Sequence, residues 1–178
     1  AQMGGWYRKE IKSAADIKGL KMRIGGFAGK VLTRMGGVPQ NIPGGEIYQA
    51  LEKGTIDATE WVGPYDDEKL GFQKVARNYY YPGWWEGGAQ LEFYVNKAAY
   101  NALSAENKAI VEVSASHAHT VMQARYDARN PAALKRLVAG GAKVLAFPKS
   151  VMDLAYKESM ALYSELSASN PNWKKIYA

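Results

Sequence analysis

The 178-residue chain contains no cysteine. That excludes a disulfide framework, a thiolate metal site and a cysteine nucleophile, and it leaves the compartment open. Histidine is nearly absent too: His117 and His119 are the only two. Two positions apart on a helix, they project about 200° from each other and cannot share one ion, so they read as a solvated helix face. No run approaches the roughly 18 apolar residues of a membrane-spanning helix. No Gly-x-Ser-x-Gly elbow occurs, which removes the commonest serine hydrolase signature. A basic run is missing as well. Lys and Arg outnumber Asp and Glu by 23 to 17, but the surplus is dispersed. It favours small anionic partners through the long-range field and gives no ground for nucleic-acid binding. The opening Ala1-Gln2-Met3-Gly4-Gly5-Trp6 lacks the basic flank and apolar run of a secretory signal and reads as mid-protein sequence.

What is present is a normal globular composition, 47% hydrophobic and 22% charged, enough for a core. Ser13–Ile17 reads as a capped helical turn. Leu20–Ile24 alternates in polarity as a strand and stops at Gly25-Gly26, and Ala28–Met35 follows as a short helix ending at Gly36-Gly37. Val38–Pro43 is extended. Glu46–Lys53 is an amphipathic helix with Ile47, Ala50 and Leu51 on one face, stopped by Gly54, after which Thr55-Ile56 starts an extended segment. Asp66–Val75 is expected to be a surface helix, with Asp66-Asp67-Glu68 as solvated charge. Gln90–Asn96 alternates and is expected to be a strand. Ser104 to about Ala139 is a long helical stretch that Pro131 should kink or divide. Lys143–Phe147 is a strand, and a last helix runs from Pro148 to about Ser167, broken at Asn170-Pro171. Interleaved strands and helices make the class α/β.

Few residues in this frame invite chemistry. Gly25-Gly26-Phe27-Ala28-Gly29-Lys30-Val31 resembles a phosphate loop, but the glycine spacing is short and Val31 stands where a hydroxyl should ligate Mg²⁺, so a tight strand-to-helix turn is the better reading. Arg23 ends an apolar strand beside the double glycine. Its charge cannot be removed by deprotonation, so it requires an anion, either a ligand carboxylate or an internal acid. Glu60 and Glu86 are each embedded among tryptophans and form a second candidate, as a glycosidase-like acid–base pair. The rings of Tyr79, Tyr80, Tyr81, Trp84 and Trp85 divide between core and surface.

Gly19-Leu20-Lys21-Met22-Arg23 with Gly45-Glu46-Ile47-Tyr48-Gln49-Ala50-Leu51-Glu52-Lys53-Gly54-Thr55-Ile56-Asp57-Ala58 resembles the DctP-type extracytoplasmic solute receptors of TRAP transporters. Glu60-Trp61-Val62-Gly63-Pro64-Tyr65-Asp66-Asp67 and Tyr80-Tyr81-Pro82-Gly83-Trp84-Trp85-Glu86 are similar to the subgroup that takes 2-oxo or 2-hydroxy monocarboxylates, such as pyruvate or lactate, with a cation. The resemblance implies a periplasmic clamshell of two α/β lobes, of which this chain is a C-terminal fragment. One lobe is largely encoded (residues 1–60), followed by a crossover segment (61–90) and a return strand with C-terminal helices (91–178). It implies Arg23, Phe27, Trp61 and Trp85 as ligand contacts. It further implies Glu86, Glu60, Trp61 and Gln2 around Na⁺ or Ca²⁺, with no organic cofactor. Implied partners are the small carboxylate and the TRAP membrane subunits, with self-association a consequence of apolar surface left uncovered. The competing readings are an enzyme using Glu60 and Glu86 on small acids or sugars, and an interaction module built on the tyrosine-tryptophan surface.

Overall fold

The computed structural model describes residues 2–88 and 91–178. Among these, six short strands are β1 (Gly5–Tyr7), β2 (Lys21–Arg23), β3 (Val38–Gln40), β4 (Ala58–Thr59), β5 (Asn78–Tyr81) and β6 (Lys143–Ala146). They form one sheet in the order β3-β2-β4-β1-β5-β6. β2 is parallel to β3 and β4, and β5 to β6, while β1 runs antiparallel between β4 and β5. Because only β1 is reversed, the carboxyl ends of β2, β4 and β5 and the amino end of β1 all emerge at the same edge. That edge is where ligands of open α/β sheets sit.

Helices α1 (Gly26–Arg34), α2 (Ile47–Lys53), α3 (Pro64–Leu70), α4 (Lys97–Asn101), α5 (Ala105–Ala139), α6 (Lys149–Ser169) and α7 (Pro171–Tyr177) complete the chain. Strand periodicity sends neighbouring aromatics to opposite faces of the sheet. Tyr7 and Tyr80 join Met22, Val31, Leu32, Phe147, Val151 and Leu162 on the side of α1 and α6. Trp6 and Tyr79, stacked at 3.8 Å, join Ile47, Leu51, Phe72 and Leu137 on the other. Burying a side chain such as Ile47 or Leu51 contributes about 1.5–3 kcal/mol, against about 1 kcal/mol for a good cap. Packing on the sheet therefore holds the short α2 in place, and its left-handed Gly54 (φ 75°) decides where it stops.

The α/β class is observed, and most expected elements are present within a few residues. Three expectations are corrected in whole or in part. Residues 91–96 form no strand, and Leu91, Phe93 and Tyr94 are 72%, 80% and 92% exposed. Alternation marks which face a strand would bury, but a strand needs a neighbour to pair with, and among the described residues this stretch has none. Gln90, where the expected strand begins, lies outside the described residues. Pro131 does not divide its helix, because α5 runs 35 residues through it. Only one backbone bond is lost there, and the flanking turns continue. Finally, Asp66-Asp67-Glu68 is not uniformly solvated. Asp67 is buried, accepting from Trp6 Nε1 (2.9 Å), Tyr79 Oη (2.7 Å) and Val62 N (3.1 Å). Three consecutive helical residues span about 200° of arc, so with Pro64 starting α3 one of them had to face the sheet.

Candidate functional site

Four chain segments converge at the sheet edge just described. β2 ends in Arg23, and β4 ends in Thr59 directly opposite it. The next backbone N–H, that of Glu60, donates to the Arg23 carbonyl at 3.2 Å. This pairing of parallel strand ends brings Arg23 and Glu60 side by side, 37 positions apart in sequence, and the Arg23 Nη1 donates to Glu60 Oε1. Arg23 Nε donates to the Ile42 carbonyl at 3.2 Å, and the guanidinium lies 5.1 Å from the Trp61 ring centre. The internal acid weighed for Arg23 thus exists and is Glu60. Among the described residues, Nη2 of Arg23 makes no hydrogen bond.

Arg23 and Glu60 line an open cleft of about 400 Å³, together with Gly25, Phe27, Trp85 and Glu86. Trp85 and Glu86 arrive on the segment that leaves β5. Phe27 is in the first turn of α1, whose cap residue Gly25 offers no side chain to the helix. The first N–H groups of α1 have no intrahelical acceptor, so the positive end of the helix lies at the cleft beside Arg23. The glycine pair is the turn expected, but its electrostatic contribution was not anticipated. The signal was there, in a strand, two glycines and an amphipathic helix in succession.

Glu60 is buried, and burial raises its carboxyl to about 7 although Arg23 pulls the other way; nearby Glu86 adds to the rise. Glu86 itself is exposed. The expectation that tryptophans shield it from water is therefore corrected: Trp84 and Trp85 pack edge to face against each other at 5.0 Å, and the glutamate stands outside them.

Gln2 and Trp61 are set behind Arg23. Gln2 is buried and donates from Nε2 to the Trp61 carbonyl at 2.8 Å. Its Oε1 is buried and, among the described residues, has no donor. A Cβ on Gly83 would lie 2.9 Å from Gln2 Cγ, and one on Gly44 would lie 2.7 Å from the Trp61 ring, so both glycines permit close approach here. The structure thus gathers Arg23, Phe27, Glu60, Trp85 and Glu86 at one cleft, with Gln2 and Trp61 behind it. Among the described residues, no three His, Asp or Glu side chains cluster tightly enough to hold an ion by themselves.

Comparison with known proteins decides the family. Residues 1–170 match the model described as bacterial extracellular solute-binding protein, family 7 (DctP). The chain belongs to this family. It is 50% identical over 177 residues to a monocarboxylate 2-oxoacid-binding periplasmic protein of Nostoc sp. (strain PCC 7120), covering 99% of this chain and 49% of that protein. A TRAP transporter solute-binding protein of Bordetella bronchiseptica RB50, solved with copurified calcium and picolinate, is 59% identical with a TM-score of 0.93, over 99% of this chain and 52% of that one. One from Pseudoalteromonas atlantica T6c, solved with sodium and pyruvate, is 44% identical with a TM-score of 0.92, over 98% and 54%. This family 7 chain therefore spans about half the length of the relatives it matches. The family consists of solute-binding proteins, so the acid–base enzyme read from Glu60 and Glu86 finds no support.

Proposed function

We propose that this chain supplies a wall of the binding cleft of a periplasmic receptor. The receptor captures a small 2-oxo or 2-hydroxy monocarboxylate with a hard cation and delivers it to TRAP-type membrane subunits. The observation that carries the reading is the convergence of Arg23, the α1 amino end, Glu60 and Glu86 on one cleft of about 400 Å³. A carboxylate is matched by the planar guanidinium, which can offer a further N–H, and by unpaired helix N–H groups. No bond is made or broken.

Charge balance gives the cation its place in this reading. Arg23 is already paired with Glu60, and Glu86 adds a second negative charge, so an incoming carboxylate enters a site with no net positive side chain to spare. The residues present fit a hard ion. Glu60 and Glu86 offer carboxylate oxygens, the Trp61 carbonyl is close by, and Gln2 Oε1 is a buried acceptor that has no donor among the described residues. Bound there, Na⁺ or Ca²⁺ would supply positive charge shared between protein and ligand carboxylates. It would also draw down the carboxyl of Glu60, so cation uptake would release a proton below about pH 7.

Calorimetric titration of pyruvate and lactate into the full-length receptor, with Na⁺ or Ca²⁺ present, tests the reading. Stoichiometric binding and unchanged recovery of the acid are expected, and turnover of the acid or no binding would defeat it. Leu91, Phe93, Tyr94 and Val95 are exposed in one stretch of chain, and Ile110 and Val113 are exposed on α5, an apolar load of the kind that marks contact surfaces. We propose that these side chains are covered by protein and that the 178-residue chain alone self-associates through them; a monodisperse monomer by light scattering would argue otherwise.

A further inference from the structure

α7 lies beyond the residues matched by the family model, which stop at 170, yet it packs on Phe27, a residue of the cleft wall. Asn170 caps it, accepting the Trp173 N–H at 3.0 Å, and Pro171 occupies its first turn. Within α7 every residue but Trp173 is exposed. The Trp173 ring stacks on Phe27 at 5.6 Å with 6° between planes, and Tyr163 of α6 packs against both at 5.3 and 5.8 Å. Phe27 in turn lines the cleft beside Arg23. Trp173 Nε1 is buried and, among the described residues, has no acceptor. A buried tryptophan ordinarily finds a partner for that N–H, so the indole contributes here through its face and not through its polar edge.

We propose that α7 is a clasp on the ligand site and that Trp173 is a positioning residue. It holds the Phe27 ring from outside, and the ring then limits the size of the apolar group accepted next to the carboxylate. The proposal rests on the reading of the cleft as a monocarboxylate site. Removing Trp173 frees Phe27 to move away from the cleft, which loosens the grip on a small acid and makes room for a larger one.

The test titrates pyruvate and the branched 4-methyl-2-oxopentanoate into the full-length receptor and its variants. Trp173→Ala is expected to weaken pyruvate binding by roughly 2- to 10-fold, the range set by one aromatic pair, and to narrow the preference for pyruvate over the branched acid. Trp173→Phe keeps a ring face and lacks the orphaned N–H, so it should restore both affinity and preference. In a Phe27→Ala background, Trp173→Ala should have no further effect, since it acts through that ring. If Trp173→Ala fails to fold, Trp173→Leu retains bulk without the flat face and should show the same narrowing. Wild-type receptor that binds neither acid would overturn the carboxylate reading and the clasp with it. Wild-type receptor that binds pyruvate while Trp173→Ala keeps the same affinity and preference would overturn the clasp alone. So would an equal loss for both acids that persists in the Phe27→Ala background.

Discussion

Arg23, Glu60 and Asp67 are buried or half-buried charges with different partners, and their partners determine what substitution should do. Arg23→Ala removes the proposed carboxylate contact and also strands Glu60, so binding should weaken by about 2–5 kcal/mol. Arg23→Lys should bind poorly as well, because a point charge cannot serve Glu60 and a ligand in one plane. Titration calorimetry on both variants checks this, and unchanged affinity would reduce Arg23 to an internal ion-pair partner. Asp67 is different: it accepts three hydrogen bonds beneath the sheet, and burial still raises its carboxyl to about 6. A carboxyl whose folded pKa lies above its unfolded one binds more protons in the fold, so its contribution is present in full below about 4 and lost as pH rises through about 6. Without ligand or cation, stability should therefore rise as pH falls from 7 toward 5. Asp67→Asn should flatten that slope and cost about 1–3 kcal/mol, since an amide N–H would then face a donor. Denaturant melts across pH read both effects. Arg23 was legible because a lone arginine ends an apolar strand beside glycines. Its pairing with Glu60 was not, because nothing local says that β2 and β4 are neighbours.

Elements that terminate on glycine were the easiest to read, since the left-handed region that a stop requires is open to glycine at little cost. Gly54→Ala should shorten or strain α2 by about 1 kcal/mol, because the added Cβ meets both an unfavourable φ of 75° and Arg8 Nη1 at 2.8 Å. A melting-temperature decrease with pyruvate affinity retained is the expected result. Alternation was a weaker guide than termination. Lys143–Ala146 became β6 because β5 offers it an edge with Tyr79 opposite Val144, whereas 91–96 alternates as well but finds no edge among the described residues. Long helices were legible as helices, but not the one contact that gives α7 its proposed role. Asn170-Pro171 marks a helix boundary in the sequence, and it is tertiary packing that turns Trp173 onto Phe27.

For the whole molecule, the account depends on two opposite charges of the ligand complex, carboxylate and cation, meeting at one sheet edge. If the ion is shared between the glutamates and the ligand, each must raise the other's affinity by the same factor. Glu86→Gln preserves the shape of the exposed residue and removes its charge, so it should weaken the cation and shrink that factor. The most direct measurement is pyruvate affinity in the full-length receptor across a cation series at fixed ionic strength, above the pH of about 7 where Glu60 ionises. Tight binding in Na⁺ or Ca²⁺ that weakens sharply in chelator with K⁺ alone, with the difference diminished in Glu86→Gln, is the predicted result. Equal affinity in every cation condition would contradict the shared-ion site.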